Sequence, residues 1–266
     1  MLIASRLFPI FWALLFTIQE AKYQLAENNV VVRFGEIRLE SAADEVLALA
    51  LDARKQLMEK YHLASPAPVE IRLSATTAEF CRRTGRPWWQ SSIYRDRVIY
   101  LQPVRVLRER GILATTLRHE LTHQLVDEHA KGNGPRWLYE ALAIYNSGEI
   151  EFLKPQSSIG NFNKESRGKP ASQTAKIDRL TWRELENRLQ GINSREENEH
   201  LYFQLYHLGR FLEQKFQPPQ IAALLLQVGK SASLAQACPE ALGISAKDLE
   251  QSWLQYCAKT FAASAR

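Results

Sequence analysis

Residues 113–130 of this 266-residue chain read LATTLRHELTHQLVDEHA, and they contain the pattern His-Glu-x-x-His at positions 119–123. The spacing of apolar residues predicts an α-helix over Leu113–Ala130. Residues four apart lie above one another on such a helix, so His119 and His123 can reach one metal ion. Glu120 lies one residue further round, where its carboxylate can reach a metal-bound water without being a ligand. A row of leucines lies roughly 160° away on the same helix and is expected to face the core: Leu113, Leu117, Leu121 and Leu125.

A second helix is predicted to follow closely and to supply a third ligand. The segment KGNGP at 131–135 predicts a tight turn, and a helix is predicted over Pro135–Ser147. An antiparallel helix after a tight turn would bring Glu140 back beside His119 and His123. Catalytic zinc keeps three protein ligands and one open position, and His-His-Glu is a known hydrolytic set. The sequence therefore predicts a Zn²⁺ site formed by these three residues.

The rest of the chain divides near residue 130. Residues 29–130 are predicted to form an α+β half that ends in the His-Glu-x-x-His helix, and residues 131–266 a mostly helical half that carries the third ligand. Strands are expected within Asn29–Leu39, at Val69–Leu73 and at Arg97–Gln102. A helix capped by Ser41 is expected to reach Tyr61, and another is expected from Thr76 or Thr77 to Gly85. The polar segment Lys154–Arg179 predicts a long surface loop.

The N-terminus predicts an exported or membrane-attached protein. Leu7–Ile18 is apolar except for one threonine, and Arg6 precedes it. Twelve helical residues span about 18 Å, well short of the roughly 30 Å core of a bilayer. Residues 1–21 are therefore interpreted as a secretory signal peptide or an uncleaved N-terminal anchor, with a buried first helix as the alternative. In an oxidising compartment Cys238 and Cys257 could pair and leave Cys81 single, which the sequence leaves open.

Amino-acid composition and net charge limit the classes of protein to which the chain can belong. Apolar residues make up 45% and charged residues 24% of the chain, as in globular proteins, which excludes wholesale disorder. The single short apolar stretch excludes a polytopic membrane protein. The net charge of +5 favours acidic surfaces or anionic lipid as partners, and no nucleic-acid-binding motif is present.

The sequence resembles the gluzincin metallopeptidases, and more closely the peptidase MA-like family of small exported proteins, over roughly Val69–Phe261. The resemblance rests on the segments IRLSATTAEFCRRTGRPWW, VIYLQP, RHELTHQLVDEHA, PRWLYEALA, LYFQLYHLGRFLEQKF and LGISAKDLEQSWLQY. It implies a zincin-like α+β fold in which His119, His123 and Glu140 are the zinc ligands. It also implies that Glu120 is the general base and that zinc-activated water attacks a peptide bond.

Two positions depart from the pattern of the family. Ala141 follows Glu140 where members usually have glycine, which adds one methyl group and leaves the ligand intact. Ile144 stands where an aspartate is often found four residues after the third ligand. Another group must therefore orient the imidazole of His119, and the sequence does not name it.

The resemblance further points to Tyr206 as a phenol that stabilises the oxyanion. An O–H donor aimed at developing negative charge is among the larger catalytic effects. The neighbouring His207 could do the same, and core packing among apolar residues at helical spacing is the alternative for Tyr206. The strand Val98–Leu101 is expected to lie along the cleft and to pair with an extended substrate.

These features predict a zinc metallopeptidase acting on a peptide or protein substrate. A non-catalytic zincin-fold binding protein, with a structural metal or none, is the alternative that the two departures from the family pattern keep open. A third hypothesis is a wall-associated or membrane-surface module that uses its basic face, with the His-Glu-x-x-His pattern a coincidence.

Overall fold

The computed structural model of the chain describes residues 21–63, 67–149, 179–191 and 195–262. The predicted leader over residues 1–21 lies outside these ranges apart from its last residue, and so does the predicted loop Lys154–Arg179 apart from Arg179. Within the described ranges, none of the helices is long and apolar enough to span a bilayer.

One mixed sheet contains the five strands of the described residues, in the order β1-β2-β3-β5-β4. The three inner strands run parallel, and the two edge strands run antiparallel to their neighbours. Side chains of the inner strands alternate between buried and partly exposed, so one face of the sheet packs on the core. The strands are β1 (Tyr23–Glu27), β2 (Val30–Phe34), β3 (Val69–Leu73), β4 (Ser92–Arg95) and β5 (Val98–Leu101).

Both edge strands belong to tight hairpins that the sequence analysis did not predict. Asn28 and Asn29 connect β1 to β2 with φ angles of 46° and 65°, and Asp96 and Arg97 connect β4 to β5 with φ angles of 53° and 63°. Two successive positive φ angles are typical of the type I′ turn that joins two-residue hairpins. Neither turn contains glycine, the residue by which such turns are usually recognised in a sequence.

The strand order corrects the prediction for Val98–Leu101. This segment is β5, and it lies between β3 and β4 in the sheet, so its backbone already pairs on both sides. The expectation that it pairs with substrate is therefore wrong. Within the part of the chain that the structure describes, the adjacent strand β4 pairs with a strand on one side only, and no strand pairs with its other edge.

Helices make up most of the remaining described residues, which confirms a mixed α+β fold with a mostly helical second half. The predicted caps of the second helix are confirmed: Thr76 accepts a hydrogen bond from the Glu79 backbone N–H at 3.1 Å, and Gly85 ends the helix with φ 71°. Ser41 does not cap the first helix, because a 3-10 turn over Ile37–Leu39 leads directly into it. The helices are α1 (Glu40–Tyr61), α2 (Thr77–Thr84), α3 (Val104–Glu109), α4 (Leu113–Ala130), α5 (Arg136–Ser147), α6 (Trp182–Gln190), α7 (Arg195–Lys215), α8 (Pro218–Ser231), α9 (Leu234–Leu242) and α10 (Ala246–Ala262).

Helix α4 runs through the centre of the core. The predicted leucine row is buried, with Leu117 and Leu121 fully inaccessible to solvent, and α1, α5 and α8 pack around the helix. Gly229 allows α8 to approach closely, because a Cβ atom at that position would lie 2.3 Å from the backbone oxygen of His129. One continuous cluster of buried apolar residues joins the sheet to the C-terminal helices.

The three cysteines are free thiols. Cys238 on α9 and Cys257 on α10 are buried, and no disulfide joins them. Burial raises the pKa of the Cys238 thiol to about 11 and is the largest cause raising that of Cys257 to about 12.

Candidate metal centre

His119 and His123 project from successive turns of α4 toward one point. The distance between their Nε2 atoms is 3.0 Å, and the two rings meet edge to face. Glu140 comes from α5, and its Oε2 atom lies 3.7 Å from Nε2 of His119 and 3.5 Å from Nε2 of His123. The structure thus brings together the three side chains predicted as metal ligands.

The spacing of these three atoms fits a tetrahedral cation. Zinc binds imidazole nitrogen and carboxylate oxygen at about 2.0–2.1 Å, which places the ligand atoms of a tetrahedral site about 3.3–3.4 Å apart. The observed distances of 3.0, 3.5 and 3.7 Å bracket that value. In addition, Oε2 of Glu140 is buried and has no hydrogen-bond partner among the described residues. A buried carboxylate oxygen normally needs a compensating partner, and a cation between the three atoms would supply it.

The short connection between the helices brings Glu140 into place. Lys131 ends α4 with φ 52°, and Gly132 continues the turn with φ 71°. Gly134 then passes against the ring of Tyr139, where a Cβ atom would lie 2.4 Å from that ring, and its N–H donates to the Tyr139 hydroxyl at 2.9 Å. The chain therefore reverses within a few residues and returns α5 along α4.

Electrostatics at the cluster favour a charged carboxylate. Burial alone would raise the pKa of Glu140, but the two imidazoles, foremost His123, outweigh it together with Arg136 and hold that pKa at about 2. Burial alone would lower the pKa of His119, but nearby carboxylates, foremost Glu149, raise it to about 10. A positive charge is therefore stabilised at this point of the fold, as a bound cation would require.

Glu149 is a residue of the site that the sequence analysis missed. Its Oε1 atom lies 3.2 Å from Nδ1 of His119, within ion-pair distance although without hydrogen-bond alignment. Gly148 ends α5 with φ 74° and turns the chain so that Glu149 faces the imidazole. Ile144, at the position where the family often has aspartate, is instead fully buried in the core. The signal in the sequence was the Ser-Gly pair that ends the predicted helix, because a glycine there turns the chain back.

Glu120 is buried beside the cluster and has a partner from the sheet. The hydroxyl of Ser92, on β4, donates to Oε1 of Glu120 at 2.5 Å. This contact fixes the carboxylate from the side opposite to α4. Ser92 was also missed, because β4 itself was not predicted.

Helix α7 presents a different tyrosine to the site from the one expected. The ring of Tyr202 is nearly parallel to that of His119, at 6.3 Å between centroids, and it lines the cleft in front of the cluster. Tyr206, one turn later, instead lies against Tyr145 and lines a second hollow with Lys60. His207 is buried against Phe203 and Tyr206, and burial, with a smaller effect of Arg210, lowers its pKa to about 4. The structure therefore does not bring Tyr206 or His207 to the lining of the cleft.

An open cleft of about 900 Å³ leads from the surface to the cluster. Strand β4 forms one wall, α4 forms the floor, and the first turns of α5 with Tyr202 of α7 lie opposite.

Comparisons of this chain with models of protein families, with curated proteins and with solved structures found no match.

Proposed function

We propose that the protein is a zinc-dependent metallopeptidase with a zincin-like fold, of the gluzincin kind. The observation that carries the proposal is the convergence of His119, His123 and Glu140 at the distances expected around one tetrahedral cation. Bound zinc would supply a Lewis acid that polarises a peptide carbonyl and makes water a better nucleophile.

The residues around this cluster have the properties that peptide hydrolysis needs. Glu120, a buried residue that lines the cleft, accepts a proton from the attacking water and passes it to the leaving amine. Ser92 holds the Glu120 carboxylate in place through its hydroxyl. The charge of Glu149, 3.2 Å from Nδ1 of His119, favours a proton on that nitrogen and so leaves Nε2 free for a metal ion.

The open edge of β4 supports an extended peptide as the substrate. A peptide can add to a free sheet edge through main-chain hydrogen bonds, which hold its backbone straight along the strand. Since Ser91–Arg97 lines the cleft, such a peptide would pass directly over Glu120. The role first expected of β5 thus passes to its neighbour.

Tyr202 takes over the role that the resemblance implied for Tyr206. Tyr202 lines the cleft, whereas Tyr206 lines the second hollow. An O–H donor at the cleft can stabilise the negative charge that develops on the carbonyl oxygen. Replacing each tyrosine with phenylalanine separates the two: Y202F should lower kcat, and Y206F should leave kcat near that of the wild type.

The decisive experiment combines metal analysis with a Glu120→Gln variant. The purified chain is expected to contain one zinc per molecule by mass spectrometry, and Glu140→Ala is expected to lose it. Glu120→Gln keeps the shape of the side chain and removes its basicity, so it should retain zinc and the thermal unfolding curve but not cleave a proteome-derived peptide library. Glu59→Gln, at a side chain that is 65% exposed, is the matched control and should behave as the wild type.

Each outcome distinguishes the hypotheses. Undiminished cleavage by Glu120→Gln would refute Glu120 as the base. A zinc-loaded protein that cleaves no peptide would instead identify a non-catalytic zincin-fold binding protein. Absence of stoichiometric zinc from the wild type, or its retention in Glu140→Ala, would overturn the metal site itself.

A further inference from the structure

Basic side chains surround the cleft at the candidate metal centre. Five of the residues that line it are arginines, all of them exposed, and none of the lining residues is a lysine. They come from four separate segments of the chain, so no single helix or loop accounts for the cluster: Arg86, Arg95, Arg97, Arg110 and Arg136.

Most acidic residues of the same cleft face groups other than these arginines. Four of the five carboxylates that line the cleft face other partners. Glu140 and Glu149 face His119, Glu120 accepts from the Ser92 hydroxyl, and Asp127 accepts from the Tyr94 hydroxyl. Asp96 is the exposed one, and its carboxylate is 4.0 Å from Arg95. Within the described part of the chain, no carboxylate lies at ion-pair distance from Arg86 or Arg97. Among the described residues, Arg86 and Arg97 therefore leave uncompensated positive charge at the rim.

Four of the five arginines belong to the segments at the two ends of β4, and Arg136 begins α5. Arg110 donates to the Ser91 hydroxyl at 3.3 Å, at the end where the strand begins, and Arg86 precedes the same end. Arg95 and Arg97 lie at the other end, where the hairpin turns. The strand spans about 10 Å between these ends, and the Ser92–Glu120 contact lies within that span. Positive charge thus flanks the proposed reaction centre on two sides.

From this arrangement we propose that the cleft selects acidic peptides, with aspartate or glutamate side chains on both sides of the bond to be cleaved. The inference rests on the proposed peptidase function for the position of that bond. The planar guanidinium group binds carboxylates through two parallel hydrogen bonds, which favours arginine over lysine for this purpose. A peptide extended along β4 advances about 3.4 Å per residue, so arginines at the two ends match acidic side chains three or more residues apart.

The open strand favours a peptide over other anionic polymers. Main-chain N–H and C=O groups of β4 can pair with another peptide backbone, which nucleic acids and lipids do not offer. Among the large apolar side chains that are exposed in the described residues, only Trp88 neighbours residues of the cleft in sequence, and a single aromatic side chain is not a membrane-docking patch.

The test measures binding separately from cleavage. Zinc-loaded Glu120→Gln protein is titrated into fluorescein-labelled peptides that carry glutamate, glutamine or lysine at alternate positions, and fluorescence anisotropy is recorded. The glutamate peptide should bind most tightly, and its advantage should shrink from 0.1 M to 1 M NaCl, because the screening length falls from about 10 Å to about 3 Å. Adding Arg86→Gln and Arg97→Gln should reduce the affinity for the glutamate peptide about three- to tenfold and leave the glutamine peptide unaffected.

The matched control removes two arginines outside the cleft. Arg82→Gln with Arg105→Gln lowers the net charge equally, and neither residue lines the cleft, so the glutamate preference should persist. Equal binding of the glutamate and glutamine peptides would overturn the inference, as would tighter, Arg86- and Arg97-dependent binding of a single-stranded oligonucleotide or of anionic phospholipid vesicles. A glutamate preference in a protein whose wild type cleaves nothing would uphold acidic-peptide recognition and reject the peptidase function.

Discussion

Replacing Glu149 with alanine should weaken zinc binding by about ten- to a hundredfold, the usual effect of losing a group that orients a metal-bound histidine. The contact is close, with 3.2 Å between Oε1 of Glu149 and Nδ1 of His119, and the side chains are 21% and 8% exposed. At an effective dielectric constant of about 20, full unit charges at that distance would attract by about 5 kcal/mol before their desolvation is counted, and a zinc-bound imidazole, which is neutral, retains only part of this attraction. The expected loss of affinity corresponds to about 1.4–2.7 kcal/mol, a fraction of that attraction.

The assay is competition for zinc with a chromophoric chelator, at constant pH and ionic strength. Glu149→Gln keeps a carbonyl oxygen that can accept from Nδ1 but loses the charge, so its affinity should fall between those of the wild type and the alanine variant. Glu59→Gln removes one charge from the exposed surface and should bind zinc as the wild type does. Equal zinc affinity in the alanine variant and the wild type would refute the argument that Glu149 orients His119.

Three further predictions concern close packing, thiol burial and the charge of His119. Gly209→Ala should destabilise the fold by about 1–3 kcal/mol in urea unfolding, because the added methyl group would lie 2.4 Å from the Ala141 backbone oxygen and α7 would be pushed from α5. The thiols of Cys238 and Cys257 should react with a disulfide reagent at pH 8 only on unfolding, since burial raises both pKa values to about 11 and 12. The pKa of His119 is raised to about 10 in the metal-free fold. The stabilisation of the fold by the protonated imidazole is therefore complete below about pH 6.5 and is lost as the pH rises through about 10. Between these two pH values, zinc binding should displace the proton and release it to the solvent.

Each of these predictions has its own control. Gly35→Ala should leave the unfolding free energy nearly unchanged, since nothing lies within 4 Å of a Cβ atom there; equal stability of the Gly209 variant would contradict the packing argument. Cys81 is only partly buried and should react before the other two thiols. Rapid native-state labelling of all three thiols would contradict the burial of Cys238 and Cys257. For His119, zinc uptake without proton release at pH 8 would show that its imidazole is already neutral.

The centre of the candidate site could be predicted because its information is local. His119, Glu120 and His123 share one helix, and the apolar spacing fixes the helix at Leu113–Ala130, the bounds that the structure has. Glu140 needed one further step, a turn short enough to force an antiparallel return. The periodicity of apolar residues predicts the helix, and the turn residues that follow it predict the antiparallel return.

The groups that complete the site could not be predicted, because packing between distant segments brings them there. Ser92 meets Glu120 across 28 positions of sequence, and only the edge position of β4 makes that contact possible. Which of Tyr202 and Tyr206 lines the cleft likewise depends on the rotation of α7 against α5. That rotation is set by the close approach of the two backbones at Gly209.

The sequence by itself therefore determined the helix that carries the His-Glu-x-x-His pattern, the third candidate ligand and the mixed α+β class, since each follows from the spacing of residues within a helix or strand or from one short turn. Only the tertiary structure decided which strands form the edges of the described sheet, which carboxylate faces His119 and how the arginines are arranged around the cleft. The physical reason is that side chains from separate segments acquire a common site only when the core has fixed the relative positions of those segments.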